Sequence, residues 1–249
     1  MSSIKAIIID DESLARKIIK NYIKGNPEVE IIDECANGFD GIKRINEIKP
    51  ELIFLDIQMP KINGFEMLEL IDNPPVIIFT TAFDQFALKA FEVNAADYLL
   101  KPFSIERFNE ALGKALQRIK DKSGSAKLVK NLILQNDSKT EPLERVVIKD
   151  GPKISIVPVD NIKYLEAQDD YVMIYSQEGK FLKQKTMKYF ETHLDKANFV
   201  RIHRSYIAAV KRIKKIELLE KESYQVVLED KSTLPVSKSG YDKIKEILK

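Results

Sequence analysis

The sequence predicts an α/β doubly wound domain built on a five-stranded parallel sheet, followed by a mainly β domain. Three observations predict it. The chain has 249 residues, roughly twice the commonest domain length. Short apolar runs alternate with amphipathic helical stretches over the first 120 residues, then give way to β-branched runs after residue 143. Charge divides at the same place: residues 1–122 hold 16 basic and 20 acidic side chains, whereas residues 123–249 hold 24 and 18. An acidic front and a basic back suggest two jobs, the second suited to a polyanion. With 44% apolar and 31% charged residues the chain is too apolar for disorder. A single cysteine, Cys35, excludes an intramolecular disulfide framework and any cysteine-based zinc cluster. The first residues lack a signal-peptide core, and no apolar run approaches the ~18 residues of a membrane span. A soluble, cytoplasmic protein without membrane contact is expected.

In the front half, IKAIIID (4–10) is the Ile-rich run that a strand covered on both faces requires. Leu14 to Lys24 follows as a helix, with Leu14, Ile18, Ile19 and Tyr22 at helical spacing. The cycle repeats. VEIID (29–33) leads to a helix from Phe39 to Ile48, and ELIFLD (51–56) to one from Gly64 to Ile71. PVIIFTT (75–81) leads to Gln85–Val93, and DYLL (97–100) to Ile105–Ile119. Five such units with right-handed crossovers make a doubly wound sheet, whose ligands bind beyond the carboxyl ends of the strands.

The strand ends therefore hold the candidate chemistry. The first ends in Asp10-Asp11, the third in Asp56 and the fourth in Thr80-Thr81, and the fifth is followed by Lys101-Pro102. Singly, an acidic residue at a strand end is a helix cap or a turn residue, and a lysine is a surface charge. Together, three carboxylates in one crevice would repel one another without a cation, and an all-oxygen donor set suits Mg²⁺. A lysine and a threonine hydroxyl could hold the oxygens of a transferred phosphoryl group, and an aspartate is a competent phosphoryl acceptor.

Asp10-Asp11, LDIQMPKINGFE (55–66), TTAFD (80–84) and DYLLKPF (97–103) resemble the receiver domain of two-component response regulators, over residues 4 to about 120. The resemblance implies Asp56 as phosphoacceptor and Lys101 at the phosphoryl oxygens. It implies Asp10 or Asp11, Asp56 and the Gln58 backbone carbonyl at Mg²⁺. Thr81 and Tyr98 match the family's switch pair; Thr80 is the rival, but the family's hydroxyl residue directly precedes an alanine, here Ala82. The Lys101-Pro102 bond is a candidate cis peptide. A phosphohydrolase with an aspartyl nucleophile is the enzyme alternative. Such enzymes carry a second aspartate two residues on as general acid, and here that position is Gln58, so no enzyme is expected.

Residues 121–142 have linker composition, with Ser-Gly-Ser, Asn-Asp-Ser and a late proline. From 143 to 249 about nine short strands are expected, punctuated by Asp150-Gly151, Asp160-Asn161 and Glu178-Gly179, with FVRIHRSYIAAV (199–210) read as one of them. Two small helices are expected, Met187–Leu194 and Tyr241–Leu248. His193 reads as a surface or boundary residue. Basic side chains gather at Arg201, His203 and Arg204, at Lys211, Arg212, Lys214 and Lys215, and at Lys238 on a loop. Such loops could neutralise phosphates and read bases, or form a solvated basic face.

YLEAQDDYVMIY (164–175), FVRIHRSYI (199–207) and LPVSKSGYDKI (234–244) resemble, in that order, the LytTR DNA-binding domain. In that β-rich family loops enter successive major grooves. The resemblance maps the contacts to Asp169, Asp170 and Tyr171, to His203 and Arg204, and to Lys238. The two aspartates are poor phosphate contacts and would accept from a cytosine or order the loop. Ala209 and Lys238 depart from the Asn and Arg common in the family. The resulting expectation is a transcriptional regulator phosphorylated on Asp56 by a histidine kinase and binding double-stranded promoter DNA, as a homodimer when phosphorylated. A receiver whose basic domain binds RNA or a protein is the alternative.

Overall fold

The computed structural model describes residues 3–87, 90, 93–121, 142–151, 153–219 and 223–247. The chain divides into two compact units, Met1–Asn136 and Asp137–Lys249. The segment expected as a linker, 121–142, lies almost wholly outside the described residues.

The first unit runs β1 (Ile4–Ile9), α1 (Ser13–Ile23), β2 (Val29–Cys35), α2 (Gly38–Ile48), β3 (Leu52–Leu55), α3 (Gly64–Glu69), β4 (Val76–Thr81), β5 (Asp97–Leu100) and α4 (Ile105–Lys120). Of the helix expected over Gln85–Val93, residues 88, 89, 91 and 92 lie outside the described residues; Ala87 and Ala90 are helical, whereas Gln85, Phe86 and Val93 lie in turns. All strand pairs are parallel, in the order β2-β1-β3-β4-β5. The order reverses between β1 and β3, which opens a crevice there. Ala6, Ile8, Leu52, Phe54, Ile78 and Leu99 pack on α1 and α4 through Ile19, Phe108 and Leu112. β1, β3 and β4 are buried on both faces, which is why they read as nearly unbroken apolar runs rather than alternating ones.

Asp97 ties β5 to α4. Arg107 grips both its oxygens, at 2.8 and 2.6 Å, and also donates to the Tyr98 carbonyl at 3.0 Å. Lys114 adds a bond at 2.9 Å. Burial opposes the charge on Asp97, but Arg107 and Lys114 override it and hold the carboxyl well below the usual range. A carboxyl lowered in the fold contributes stability above its unfolded value, and that contribution is lost as pH falls through the folded value. Asp97→Asn is therefore expected to cost about 2 kcal/mol at pH 7, with the deficit shrinking below pH ~4. Urea unfolding at pH 7 and pH 3 checks this; an equal deficit at both would contradict the ion-pair account.

The second unit comprises β6 (Arg145–Asp150), β7 (Lys153–Pro158), β8 (Ile162–Gln168), β9 (Tyr171–Ser176), β10 (Lys180–Lys183), α5 (Met187–His193), β11 (Phe199–His203), β12 (Tyr206–Ala209), β13 (Ile213–Leu218), β14 (Tyr224–Leu228), β15 (Thr233–Val236) and α6 (Lys238–Ile247). An antiparallel sheet ordered β10-β9-β8-β12-β11 forms the middle layer. One face carries Leu165, Ile174 and Ile207 against β6, β7 and α5. The other carries Tyr164, Ile202 and Ala208 against the three-stranded sheet β13-β14-β15 and Ile244 of α6.

Three expectations are corrected. The run 199–210 is not one strand: it folds back at Arg204-Ser205 into the hairpin β11–β12, with a register shift between Arg201 and His203. The last helix begins at Lys238, not Tyr241, so Lys238 sits on a helix rather than a loop. Ser237 caps it, accepting from the Gly240 amide at 3.1 Å. His193 is buried, stacked on Tyr189 at 4.3 Å, with Nδ1 2.8 Å from the Tyr189 carbonyl.

Candidate functional sites: an acidic crevice and a basic sheet end

Asp10, Asp56 and Lys101 each sit one step past a strand while the backbone still continues the ladder. Asp10 N donates to Cys35 O at 3.0 Å, Asp56 N to Ile9 O at 2.9 Å, and Lys101 N to Thr81 O at 2.7 Å. Asp10, Asp56 and Lys101 thus converge from β1, β3 and β5. The loop after Asp56 is fixed by a reciprocal cap: Glu66 N donates to Asn63 Oδ1 at 2.9 Å and Asn63 N to Glu66 Oε2 at 2.7 Å. Gly64 lies so close to the Asp56 carbonyl that a Cβ there would meet it at 2.5 Å. The Lys101-Pro102 bond is cis.

Asp10, Asp11 and Asp56 offer carboxylate oxygens that lie within 4.8 Å of one another, with Asp10 and Asp56 buried and Asp11 exposed. Lys101 Nζ lies 2.8 Å from Asp10 Oδ2, 3.0 Å from Glu12 Oε2 and 3.4 Å from Asp56 Oδ2. Gln58 enters through its backbone N–H, which donates to Asp56 Oδ1 at 3.4 Å. Burial pushes the Asp10 carboxyl up to about 6 against the opposing pull of Lys101. Burial raises Asp56 as well, again opposed by Lys101. Lys101 responds in kind: burial disfavours its charge, but Asp10 and Asp56 outweigh that and raise it. Two buried carboxylates, a third beside them and one shared ammonium make an all-oxygen donor set short of positive charge, which fits a hard divalent cation.

The cost of those buried anions is measurable. A carboxyl raised in the fold destabilises it once pH passes the ordinary value of 3.8, and the penalty is complete above about 6. Without divalent cations, Asp10→Asn is expected to stabilise the first unit at pH 7.5 by about 1–2 kcal/mol, a gain that shrinks as pH falls from ~6 towards ~4. Denaturant titrations in a chelator check it; a less stable variant at pH 7.5 would refute it.

Thr80 and Thr81 are both buried, and neither hydroxyl has a hydrogen-bond partner among the described residues. Thr81 is the last residue of β4 and holds the Lys101 amide through its carbonyl, which places it nearer the crevice mouth. The Tyr98 hydroxyl donates to the Phe83 carbonyl in the loop after β4. Burial, with Asp84 and Asp56 nearby, pushes that hydroxyl up to about 12. The sequence reading missed Glu12, the cap residue of α1. It makes no side-chain cap and instead turns its carboxylate to Lys101.

In the second unit the candidate residues collect at one end of the five-stranded sheet. β8 pairs with β9 up to Gln168↔Tyr171, leaving Asp169-Asp170 as a tight turn. Asp169 has φ +50°, a conformation that Asp tolerates better than most residues, so it shapes this turn. The neighbouring Arg204-Ser205 turn lies alongside, because Tyr206 pairs with Glu166 and Ala167 N donates to Ser205 O at 2.9 Å. Tyr171 and Arg204 are exposed. His203 Nδ1 accepts from Ser205 N at 3.2 Å, so a neutral His203 ring carries its proton on Nε2. His203 and Lys238 line the same open groove of about 460 Å³, with Tyr224, Pro235 and Ser237.

Other basic residues do not join them. Lys211 pairs with Asp160 at 3.0 Å, Arg212 with Glu229 at 3.0 Å and Lys215 with Glu217 at 2.5 Å. Arg201 pairs with Glu191 at 2.6 Å. The sequence showed these cations but not their partners.

Residues 6–113 match the family described as response regulator receiver domain, and residues 152–249 match the LytTr DNA-binding domain. The sensory transduction protein LytT of Bacillus anthracis is 34% identical over 249 residues, 99% of both chains. The transcriptional regulatory protein BtsR of Salmonella typhimurium is 32% identical over 98% of this chain and 99% of its own. Among solved structures, the response regulatory domain of mrkE from Klebsiella pneumoniae is 32% identical, covering 47% of this chain and 98% of its own with a TM-score of 0.44. The LytTr domain of a putative methyl-accepting/DNA response regulator from Bacillus cereus is 27% identical, covering 43% and 97%, with a TM-score of 0.40. No helix among the described residues is long and apolar enough to cross a membrane. With relatives matched from end to end and both domains in their order, the chain belongs to the LytT-type response regulators, a receiver domain followed by a LytTR DNA-binding domain.

Proposed function

We propose that this response regulator accepts a phosphoryl group on Asp56 from a histidine kinase in the cytoplasm and, as a phosphorylated homodimer, binds double-stranded promoter DNA. The observation that carries the first half is Asp56 at the β1/β3 crossover, 3.4 Å from Lys101 Nζ and grouped with Asp10 and Asp11. An Asp56 oxygen attacks the phosphorus of phosphohistidine, the P–N bond breaks, and the imidazole leaves with the electron pair. Asp10, Asp11, Asp56 and the Gln58 carbonyl would hold Mg²⁺, which when bound supplies the positive charge that lets an anionic donor approach. Lys101 then neutralises a phosphoryl oxygen, and the Thr81 hydroxyl donates to another, relieving a buried polar group. Tyr98 lies on the adjoining strand, where its bond to Phe83 can be exchanged as the loop moves.

For the DNA half, the support is the exposed turn pair beside the His203–Lys238 groove. Arg204→Ala is expected to cost about 1–3 kcal/mol on a preferred duplex and relax its preference at one position, because a guanidinium can bond two acceptors of guanine. Lys238→Ala is expected to weaken all sequences alike and flatten the salt slope by about one unit. Affinities for preferred and scrambled duplexes at several salt concentrations decide. An unchanged profile for both variants would reduce the basic cluster to a solvated face.

A further inference from the structure

The Arg204-Ser205 turn lacks the residues that usually make a two-residue hairpin. Neither is Gly or Asn, and neither has a positive φ. Its shape is held from outside. Ala167 N donates to Ser205 O, Ser205 N donates to the His203 ring, and Arg201 Nη2 donates to Arg204 O at 2.9 Å. The other arm of the same guanidinium, Nη1, donates to Glu191 Oε2 at 2.6 Å. Glu191, on α5, uses its second oxygen as well: Lys243 Nζ of α6 donates to Oε1 at 3.2 Å. One carboxylate thus braces three elements: its own helix, the strand that enters the turn, and the helix that begins at Lys238. Burial opposes the charge on Glu191, but Arg201 and Lys243 hold its carboxyl below the usual range.

We propose that Glu191 and Arg201 are positioning residues for DNA reading, Glu191 aiming the Arg201 fork so that its second arm fixes the backbone carrying Arg204. The inference rests on the DNA-binding reading above. Arg201 is by charge an obvious phosphate contact, yet its side chain is turned inward between a carboxylate and a carbonyl. Glu191 is an anion in a domain that meets a polyanion. Simple charge arithmetic says that removing it should tighten binding to every duplex. Positioning predicts the opposite on the preferred sequence, since an unaimed Arg204 loses its bidentate geometry.

The test uses the full chain with Glu191→Gln and, separately, Arg201→Lys, which keeps the charge but has no fork to span both acceptors. The probes are a duplex enriched from a random pool by the wild-type protein and a scrambled duplex of equal composition. Each variant is expected to lose about tenfold of its preference for the enriched duplex, with scrambled-duplex affinity unchanged or higher and the salt slope preserved. Amide hydrogen exchange at residues 203–206 should rise in both variants without DNA. Equal loss on both duplexes, or unchanged preference, overturns the positioning role. Arg204→Ala separates the two failures. If it too leaves preference intact, the DNA-reading assignment of the turn falls and this inference falls with it. If it abolishes preference while Glu191→Gln and Arg201→Lys do not, only the inference fails.

Discussion

Asp56→Asn is expected to take up no acid-labile phosphate when the protein is incubated with Mg²⁺ and a small-molecule phosphodonor. An amide keeps the shape of the carboxyl group but supplies no anionic oxygen to attack phosphorus, so the acyl phosphate cannot form. The fold should survive, because Asp56 is held by backbone bonds to β1 and to Gly64 N through Ile57, and these remain in the variant. Removing a buried carboxyl raised by burial should if anything help stability. Equal phosphate incorporation by variant and wild type would refute Asp56 as acceptor. Chelation of Mg²⁺ in the wild type should suppress the same reaction, and full labelling in a chelator would break the case for a cation among Asp10, Asp11 and Asp56.

Gly240→Ala is expected to disable the second domain while leaving phosphorylation intact. A Cβ at Gly240 would stand 2.0 Å from the Ile202 carbonyl oxygen and 2.6 Å from its carbon, both main-chain atoms that no rotamer change can clear. The same carbonyl accepts Ser237 N at 2.9 Å and Ser237 Oγ at 3.1 Å. The start of α6 is thus seated directly on the β11 backbone, one residue before His203. An alanine must push the helix away and break both bonds, at a cost of about 3 kcal/mol or more. Gly113→Ala is the control. It lies in α4 with nothing within 4 Å of its Cβ position, and the same substitution should stabilise by about 0.5–1 kcal/mol. Thermal unfolding and DNA affinity of the two variants check the pair; wild-type behaviour of Gly240→Ala would contradict the seating of the helix.

The parts legible in the sequence were those set by local pattern. The parallel strands announced themselves because burial on both faces demands unbroken apolar runs, and Asp10, Asp56 and Lys101 followed from where those runs stopped. What escaped depended on contacts distant in sequence. Glu12 looks like an ordinary cap, and its ion pair with Lys101 spans 89 positions. The hairpin at Arg204-Ser205 carries no Gly or Asn, so an apolar run on either side of it read as one strand. The helix expected from Tyr241 excluded Gly240, whose lack of a side chain is what lets α6 meet β11. Lys211, Arg212 and Lys215 inflated the basic surface because a sequence displays charge but not which carboxylate faces it.

The Arg204 turn carries one further consequence. Its hydrogen bonds use the backbone of residues 204 and 205 and the side chains of Arg201 and His203; among the described residues none uses the side chain at 204. The side chain at 204 is exposed, and the bonds that shape the turn do not depend on its identity. On the DNA-reading proposal above, duplicated copies of this protein would change sequence preference by substitution at position 204 without first losing the hydrogen bonds that hold the turn.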